Sequence, residues 1–157
     1  MTAHALLKKG HDVVVHARST HRAAALDTLR ALGAQLVVGD LSKQSEVHAM
    51  AATCEHQAPF DAIIHNAGVY RGPEVIPVNV VAPYMLTALI PVPARIVFIS
   101  SQSHFGGRHS VENVDWSGVR PGSYDDSKMY VTTLAMAVAR LYPTSYSHAV
   151  DPGWVPT

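Results

Sequence analysis

The chain has 157 residues, with twelve Lys plus Arg balanced by twelve Asp plus Glu, and a single cysteine, Cys54. A neutral balance supplies no basic field for nucleic acid or an anionic membrane surface, and one cysteine makes no internal disulfide. The length accommodates one domain, residues 1–157, and the composition fits a reducing, cytoplasmic setting with a small, weakly charged ligand.

Taken in chain order, Thr2 to Lys9 reads as the end of an amphipathic helix, stopped by Gly10 where a left-handed cap is needed. Asp12 to Ala17 follows as a strand. Ala23, Ala24, Leu26, Leu29 and Leu32 give a helical stripe from about Thr20 to Ala31, ending near Gly33. Gln35 to Val38 is a short buried strand, and Ser42 is expected to start a helix to about Cys54, with Glu46 favouring its first turn. Asp61 to His65 is a strand ending in Asn66-Ala67-Gly68. A helix from Val78 to Leu89 is expected to hold Pro83 in its first turn. Arg95 to Ser100 is the clearest strand, and a polar loop covers Gln102 to Arg120. Pro121 leads into a helix reaching about Leu141, and Ser147 to Val150 is a last strand before Asp151-Pro152-Gly153.

The most apolar stretch, Val75 to Ser100, contains Pro77, Pro83, Pro91 and Pro93 together with Asn79 and Arg95, so it is not one membrane-spanning helix. The start, Met1-Thr2-Ala3-His4, lacks the features of a secretory signal. The histidines are scattered rather than set at metal-ligand spacing, so no metal site is expected. Short strands apolar on both faces, alternating with helices, predict an α/β, doubly wound, Rossmann-like parallel sheet with helices on both faces. Ligands of such folds lie beyond the carboxyl ends of the strands. Arg18 and Ser19, Asp40, Asn66 to Gly68, Ser100 and Ser101, and Pro152 and Gly153 each follow a strand.

Tyr124 and Lys128 put a phenol and an ammonium one turn apart on a helix, about 23 residues after Ser101. A phenol with a pKa of about 10 is a weak base unless a nearby cation favours its phenolate, and Lys128 is such a cation. Each piece also has an ordinary structural explanation: a surface Tyr and Lys at helical spacing, a turn at Asn66-Ala67-Gly68, and N-caps at Ser101 and Asn79.

Taken together in this order, the residues resemble the short-chain dehydrogenase/reductase family, whose members transfer hydride between a nicotinamide cofactor and a carbonyl or alcohol. The resemblance runs from about residue 5 to Thr157. It implies that Asn66, Ala67 and Gly68 let backbone approach the cofactor and that Asn79 starts a helix and holds a water of a proton path. It implies further that Ser101 binds the substrate oxygen, that Tyr124 is the general acid/base, and that Lys128 lowers the tyrosine's pKa and holds the nicotinamide ribose. Pro152, Gly153, Val155 and Thr157 match the segment along the nicotinamide end, and Asp40 and Leu41 the pair that contacts adenine. Arg18-Ser19 stands where an acidic residue would bind the ribose hydroxyls and an arginine suits a 2′-phosphate, so NADP(H) is preferred over NAD(H).

Two features depart from the family. No Gly-x-x-x-Gly-x-Gly turn precedes Ala3 to cradle a pyrophosphate, and the chain stops at Thr157, before a substrate-covering loop and further elements. The first strand of the doubly wound order would lie between Asp12–Ala17 and Asp61–His65. Without it those strands either carry unpaired edges or come together. The resulting expectation is a family member incomplete at both ends. It is either an NADP-dependent oxidoreductase acting on a small carbonyl or alcohol, or a non-catalytic binding protein whose exposed edge is covered by a partner or by a second copy in a homo-oligomer.

Overall fold

Runs of four or five residues rich in Val, Ile and Ala form the strands, and each is followed by a polar or glycine-containing turn. The computed structural model describes residues 2–153. In chain order its elements are α1 (Thr2–Lys8), β1 (Val14–Ala17), α2 (Thr20–Ala23), a 3-10 turn (Ala24–Leu26), α3 (Asp27–Ala31), β2 (Gln35–Val38), α4 (Gln44–Glu55) and β3 (Ala62–His65). A π-helical turn (Pro77–Val81) then runs into α5 (Ala82–Leu89), followed by β4 (Arg95–Ile99), a 3-10 turn (Gln102–Gly106), α6 (Tyr124–Leu141) and β5 (Tyr146–Val150).

All strand pairs are parallel, which agrees with the expected Rossmann-like α/β class. The strands form two sheets, β1-β2 and β3-β4-β5, and no ladder joins β1 to β3 among the described residues. Of the two outcomes expected for these strands, unpaired facing edges is the one found. The sheets share a hydrophobic layer instead: Val14 of β1, Val37 of β2 and Ile63 of β3 pack with Val47, Met50 and Ala51 of α4 and with Ala82 and Leu86 of α5. On the central strand of the larger sheet, Ile96 and Phe98 are fully buried against Val131, Ala135 and Val138 of α6. Burial of two such side chains stabilises the fold by roughly 1.5–3 kcal/mol each.

Three local expectations change. The helix predicted from Thr20 to Ala31 is broken by the tighter turn at Ala24–Leu26, where Leu26 adopts φ −101°, ψ 6°. Ser42 does not cap α4: its hydroxyl donates to Asp40 Oδ1 at 2.7 Å, and α4 begins two residues later, with Lys43 at the cap. Asn79 lies inside the π-helical turn rather than at a helix start. The left-handed stop at Gly10, φ 81°, is as expected. Among the described residues no helix is long and apolar enough to cross a membrane.

Candidate active site

The site is built around the start of α6. Ser123 caps this helix, its Oγ accepting from the Asp126 N–H at 3.2 Å, so Tyr124 is the first helical residue and Lys128 follows one turn later on the same face. Lys128 is buried, and its Nζ donates to the carbonyl of Ile99, the last residue of β4, at 2.7 Å. The same Nζ stands 5.4 Å from the centroid of the Tyr124 ring. Burial lowers the lysine's pKa, and the Asp151 carboxylate, just past β5, opposes that shift.

The phenol of Tyr124 is shifted the other way. Burial raises its pKa, the nearby Ser101 hydroxyl opposes the rise, and Tyr70, Asp151 and Asp125 add to it. The sequence expectation was a phenol lowered by Lys128. In the free chain the ammonium is bound to the Ile99 carbonyl and burial dominates, so the net shift of the Tyr124 phenol is upward. Its ring also meets Tyr70, with centroids 4.8 Å apart. Tyr70 is 64% exposed, and it sits beside the phenol as an open aromatic wall.

The two serines after β4 divide their roles. The Ser100 side chain is buried, and its hydroxyl meets Thr132 Oγ1 at 2.6 Å. Thr132 in turn donates to the Lys128 carbonyl at 2.7 Å, so Ser100 ties β4 to α6. Ser101 faces the phenol instead and caps the following 3-10 turn, accepting from the Ser103 N–H at 3.3 Å.

Asn79 is 3% exposed, and its amide is used in three hydrogen bonds. Oδ1 accepts from the Val69 N–H at 2.8 Å, and Nδ2 donates to the Val69 carbonyl at 2.9 Å and to Ser127 Oγ at 2.9 Å. Ser127, fully buried, donates its own hydrogen bond to the Tyr124 carbonyl at 2.7 Å. The Asn66-Ala67-Gly68 turn is thereby pinned to the base of the Tyr-Lys helix. A Cβ added to Gly68 would lie 3.6 Å from Asn79 Oδ1 and 3.9 Å from Lys128 Nζ, so the small residue brings backbone close to the lysine. Replacing Asn79 with Ala removes all three bonds and leaves the partly buried backbone N–H and carbonyl of Val69, and the buried Ser127 hydroxyl, without this partner. The expected loss is about 2–3 kcal/mol of stability, read as a lower urea midpoint. An unchanged midpoint would make the anchor redundant.

A cleft of about 390 Å³ leads from this turn to the ends of β1 and β2, lined among others by His16, Arg18, Arg22, Asp40, Leu41 and Gly68. At its far end Arg18 is held by two carboxylates. Nε donates to Asp40 Oδ2 at 3.1 Å, while NH1 and NH2 donate to Glu74 Oε2 and Oε1 at 3.1 and 2.6 Å. Glu74, then Asp40, raise the guanidinium's pKa further above its ordinary value. Burial pushes the Asp40 carboxyl up, but bonds from Ser42 and Arg18 outweigh it and the net shift is downward. Ser19 caps α2, its Oγ accepting from the Arg22 N–H. Asn66 and Ala67 are exposed, as are Pro152 and Gly153, and the Gly153 N–H is bonded to Asp151 Oδ1 at 2.9 Å. The expected positions Val155 and Thr157 lie outside the described residues.

Residues 1–157 match the family model described as short chain dehydrogenase. The chain belongs to the short-chain dehydrogenase family. This family member is 37% identical over 169 residues to an uncharacterized oxidoreductase of Emericella nidulans, covering 99% of the chain and 65% of the relative. It is 35% identical to the short-chain dehydrogenase chyC of Penicillium rubens, again over 99% of the chain and 66% of the relative. It thus spans just under two thirds of the length of these curated relatives. Among solved structures, a protein from Mycobacterium paratuberculosis matches with a TM-score of 0.79 at 26% identity, covering 99% of this chain and 64% of that one. A Sphingobium yanoikuyae short-chain dehydrogenase, solved with NADPH, matches with a TM-score of 0.70 at 24% identity, covering 94% and 63%.

In this family member the sequence missed several residues of the candidate site. Glu74 reaches Arg18 across 56 positions, and no local pattern announces such a pair. Tyr70 stood two residues beyond the recognised Gly68, where an exposed aromatic after a strand-end turn was a usable signal. The loop after Ser101 was read as polar, yet it is fastened to α6. The Arg108 backbone and guanidinium bond both oxygens of buried Asp126 at 2.6–2.9 Å, and Tyr130 Oη donates to the Ser110 carbonyl at 2.7 Å. Gly107 allows this approach, since a Cβ there would come within 2.5 Å of the Asp125 carbonyl oxygen.

Proposed function

We propose that this chain is an NADP-dependent oxidoreductase acting on a small carbonyl or alcohol, with Tyr124, Lys128, Ser101 and Asn79 as its working set. The observation that carries the reading is the meeting of a protonated Tyr124, the Ser101 hydroxyl and the buried Lys128 ammonium at the carboxyl ends of β4 and β5. The cleft from Arg18 and Asp40 to Gly68 has room for the adenosine portion of a dinucleotide, with the Arg18 guanidinium at one end and the small Gly68 at the other. When bound, the nicotinamide supplies the hydride.

Ser101 and Tyr124 hold the substrate oxygen, and Tyr124 Oη gives its proton to that oxygen as negative charge develops there. The phenolate left behind is stabilised by the Lys128 ammonium, which is buried and therefore acts through a low local dielectric. Reduction starts from the phenol form of Tyr124, and alcohol oxidation runs the same proton back to Tyr124. Asn79 is a positioning residue, locking the Gly68 turn to Ser127 and hence to the start of α6.

Calorimetry with NADPH and NADH tests the cofactor assignment. NADPH is expected to bind more tightly, and Arg18→Ala to weaken it about tenfold while leaving NADH nearly unchanged. Equal losses for both would overturn the NADP preference. Absence of binding together with no turnover over a broad carbonyl panel would overturn the oxidoreductase reading. A second reading, a non-catalytic binding protein, is favoured by the edges of β1 and β3 that share no ladder. It expects a defined complex at micromolar concentration, and a monomer with full turnover excludes it.

A further inference from the structure

Arg18 presents a planar fork that can take two oxygens side by side, and Glu74 already fills it with both carboxylate oxygens, at 2.6 and 3.1 Å. The Nε side is closed by Asp40 at 3.1 Å. One cation is thus matched by two carboxylates, and the cluster carries a net negative charge. Glu74 belongs to the segment that follows the Gly68 turn, whereas Arg18, which lines the cleft, directly follows β1, so their contact joins two distant segments beside the cleft. Neither side chain is deeply buried, at 53% and 35% exposed, so the pair can be broken by a competing anion. Arg22 lines the same cleft one helical turn away, and its guanidinium donates no hydrogen bond among the described residues.

We infer that Glu74 sets the discrimination between phosphorylated and unphosphorylated adenosine ribose by occupying the Arg18 fork that a 2′-phosphate would take. The inference rests on the assignment of the Arg18 end of the cleft to adenosine ribose. A dianionic phosphate displaces the Glu74 monoanion from the fork and gains Arg22 as a second cation, while a ribose hydroxyl, being neutral, does not compete for the fork. Glu74 therefore weakens phosphate binding twice, by occupying the donors and by adding like charge beside the incoming anion.

The test uses the full chain, 2′,5′-ADP and 5′-ADP as probes, and calorimetry as the readout, so no turnover is needed. Glu74→Gln keeps the side chain's size and removes its charge. It is expected to tighten 2′,5′-ADP about fivefold at low ionic strength, with a smaller gain at high salt, and to leave 5′-ADP within about twofold. Arg18→Ala combined with Glu74→Gln is expected to abolish the gain. An equal change for both probes, or none, overturns the role of Glu74 while leaving the NADP assignment standing if Arg18→Ala alone still weakens 2′,5′-ADP. Failure of 2′,5′-ADP to bind either the native chain or the Glu74→Gln variant overturns both. Far-ultraviolet circular dichroism and the urea midpoint of Glu74→Gln are expected to match the native chain, because the pair is exposed. A large drop in midpoint would make the pair a structural brace and overturn the inference.

Discussion

Replacing Tyr124 with Phe is expected to lower NADPH-dependent carbonyl reduction by roughly 10²–10⁴-fold while dinucleotide binding is retained. The change removes one oxygen and little else. The ring contact with Tyr70 at 4.8 Å is made by carbon atoms, the helix start is fixed by Ser123, and Lys128 is held by the Ile99 carbonyl rather than by the phenol. What disappears is the proton that must reach the substrate oxygen, together with the hydroxyl that Ser101 meets. The loss should therefore fall on kcat, with the affinity for NADPH changed by less than about twofold. A variant that kept native kcat would remove Tyr124 from the chemistry. One that lost NADPH binding in parallel would make it a binding residue.

Acid is expected to weaken the fold through His65. This side chain ends β3, stacks on Phe98 with centroids 4.8 Å apart, and meets Thr87 Oγ1 at 3.0 Å. Burial lowers its pKa to about 4, against about 6.5 in an unfolded chain. Between those values the unfolded state binds a proton that the folded state refuses, so stability falls as pH drops through the window. The full stability is present above a pH of about 6.5, about 2 kcal/mol is lost by pH 5, and the loss levels near 3 kcal/mol below pH 4. Asp40 and Asp126, whose carboxyls are held below their ordinary range, add their own losses mostly at lower pH. Urea titrations of the native chain and of His65→Gln check the assignment. The variant keeps a polar partner for Thr87 but does not titrate, so its stability should be nearly flat between about pH 7 and pH 5. An equal decline in both chains would place the acid sensitivity elsewhere.

The strands, α1 and α6 were legible because their signals are local: alternation of apolar runs with glycine or polar turns, a Gly10 stop after the first helix, and Pro121 leading into the helix that reaches Leu141. The grouping of Asn66-Ala67-Gly68 and Ser101 was legible from their positions after strands in a doubly wound order, whereas Tyr124 and Lys128, on a helix, were joined to them by the family resemblance. Hydrogen-bond choices were not. Ser42 is a better cap by type than Lys43, yet it donates to Asp40, because that aspartate is two residues back in a tight turn. Asn79 reads as a cap by type, yet the π-helical turn carries it into the interior, where Val69 and Ser127 take its amide. The ionisation of Tyr124 depends on burial and on which acceptor Lys128 finds, and neither is encoded by four-residue spacing.

The division of the strands into two ladders has a mechanical consequence. In a continuous sheet, rows of backbone bonds make the distance between the adenosine end and the nicotinamide end of a dinucleotide site stiff. In the proposed site the first end would stand on β1-β2 and the second on β3-β4-β5, and among the described residues the side-chain layer of α4 and α5 and the Arg18–Glu74 contact join the two. Packed side chains resist compression well but oppose sliding far less than a ladder does. The length of the cleft is therefore its soft coordinate, and a molecule spanning both ends would act as a tie rod between two plates.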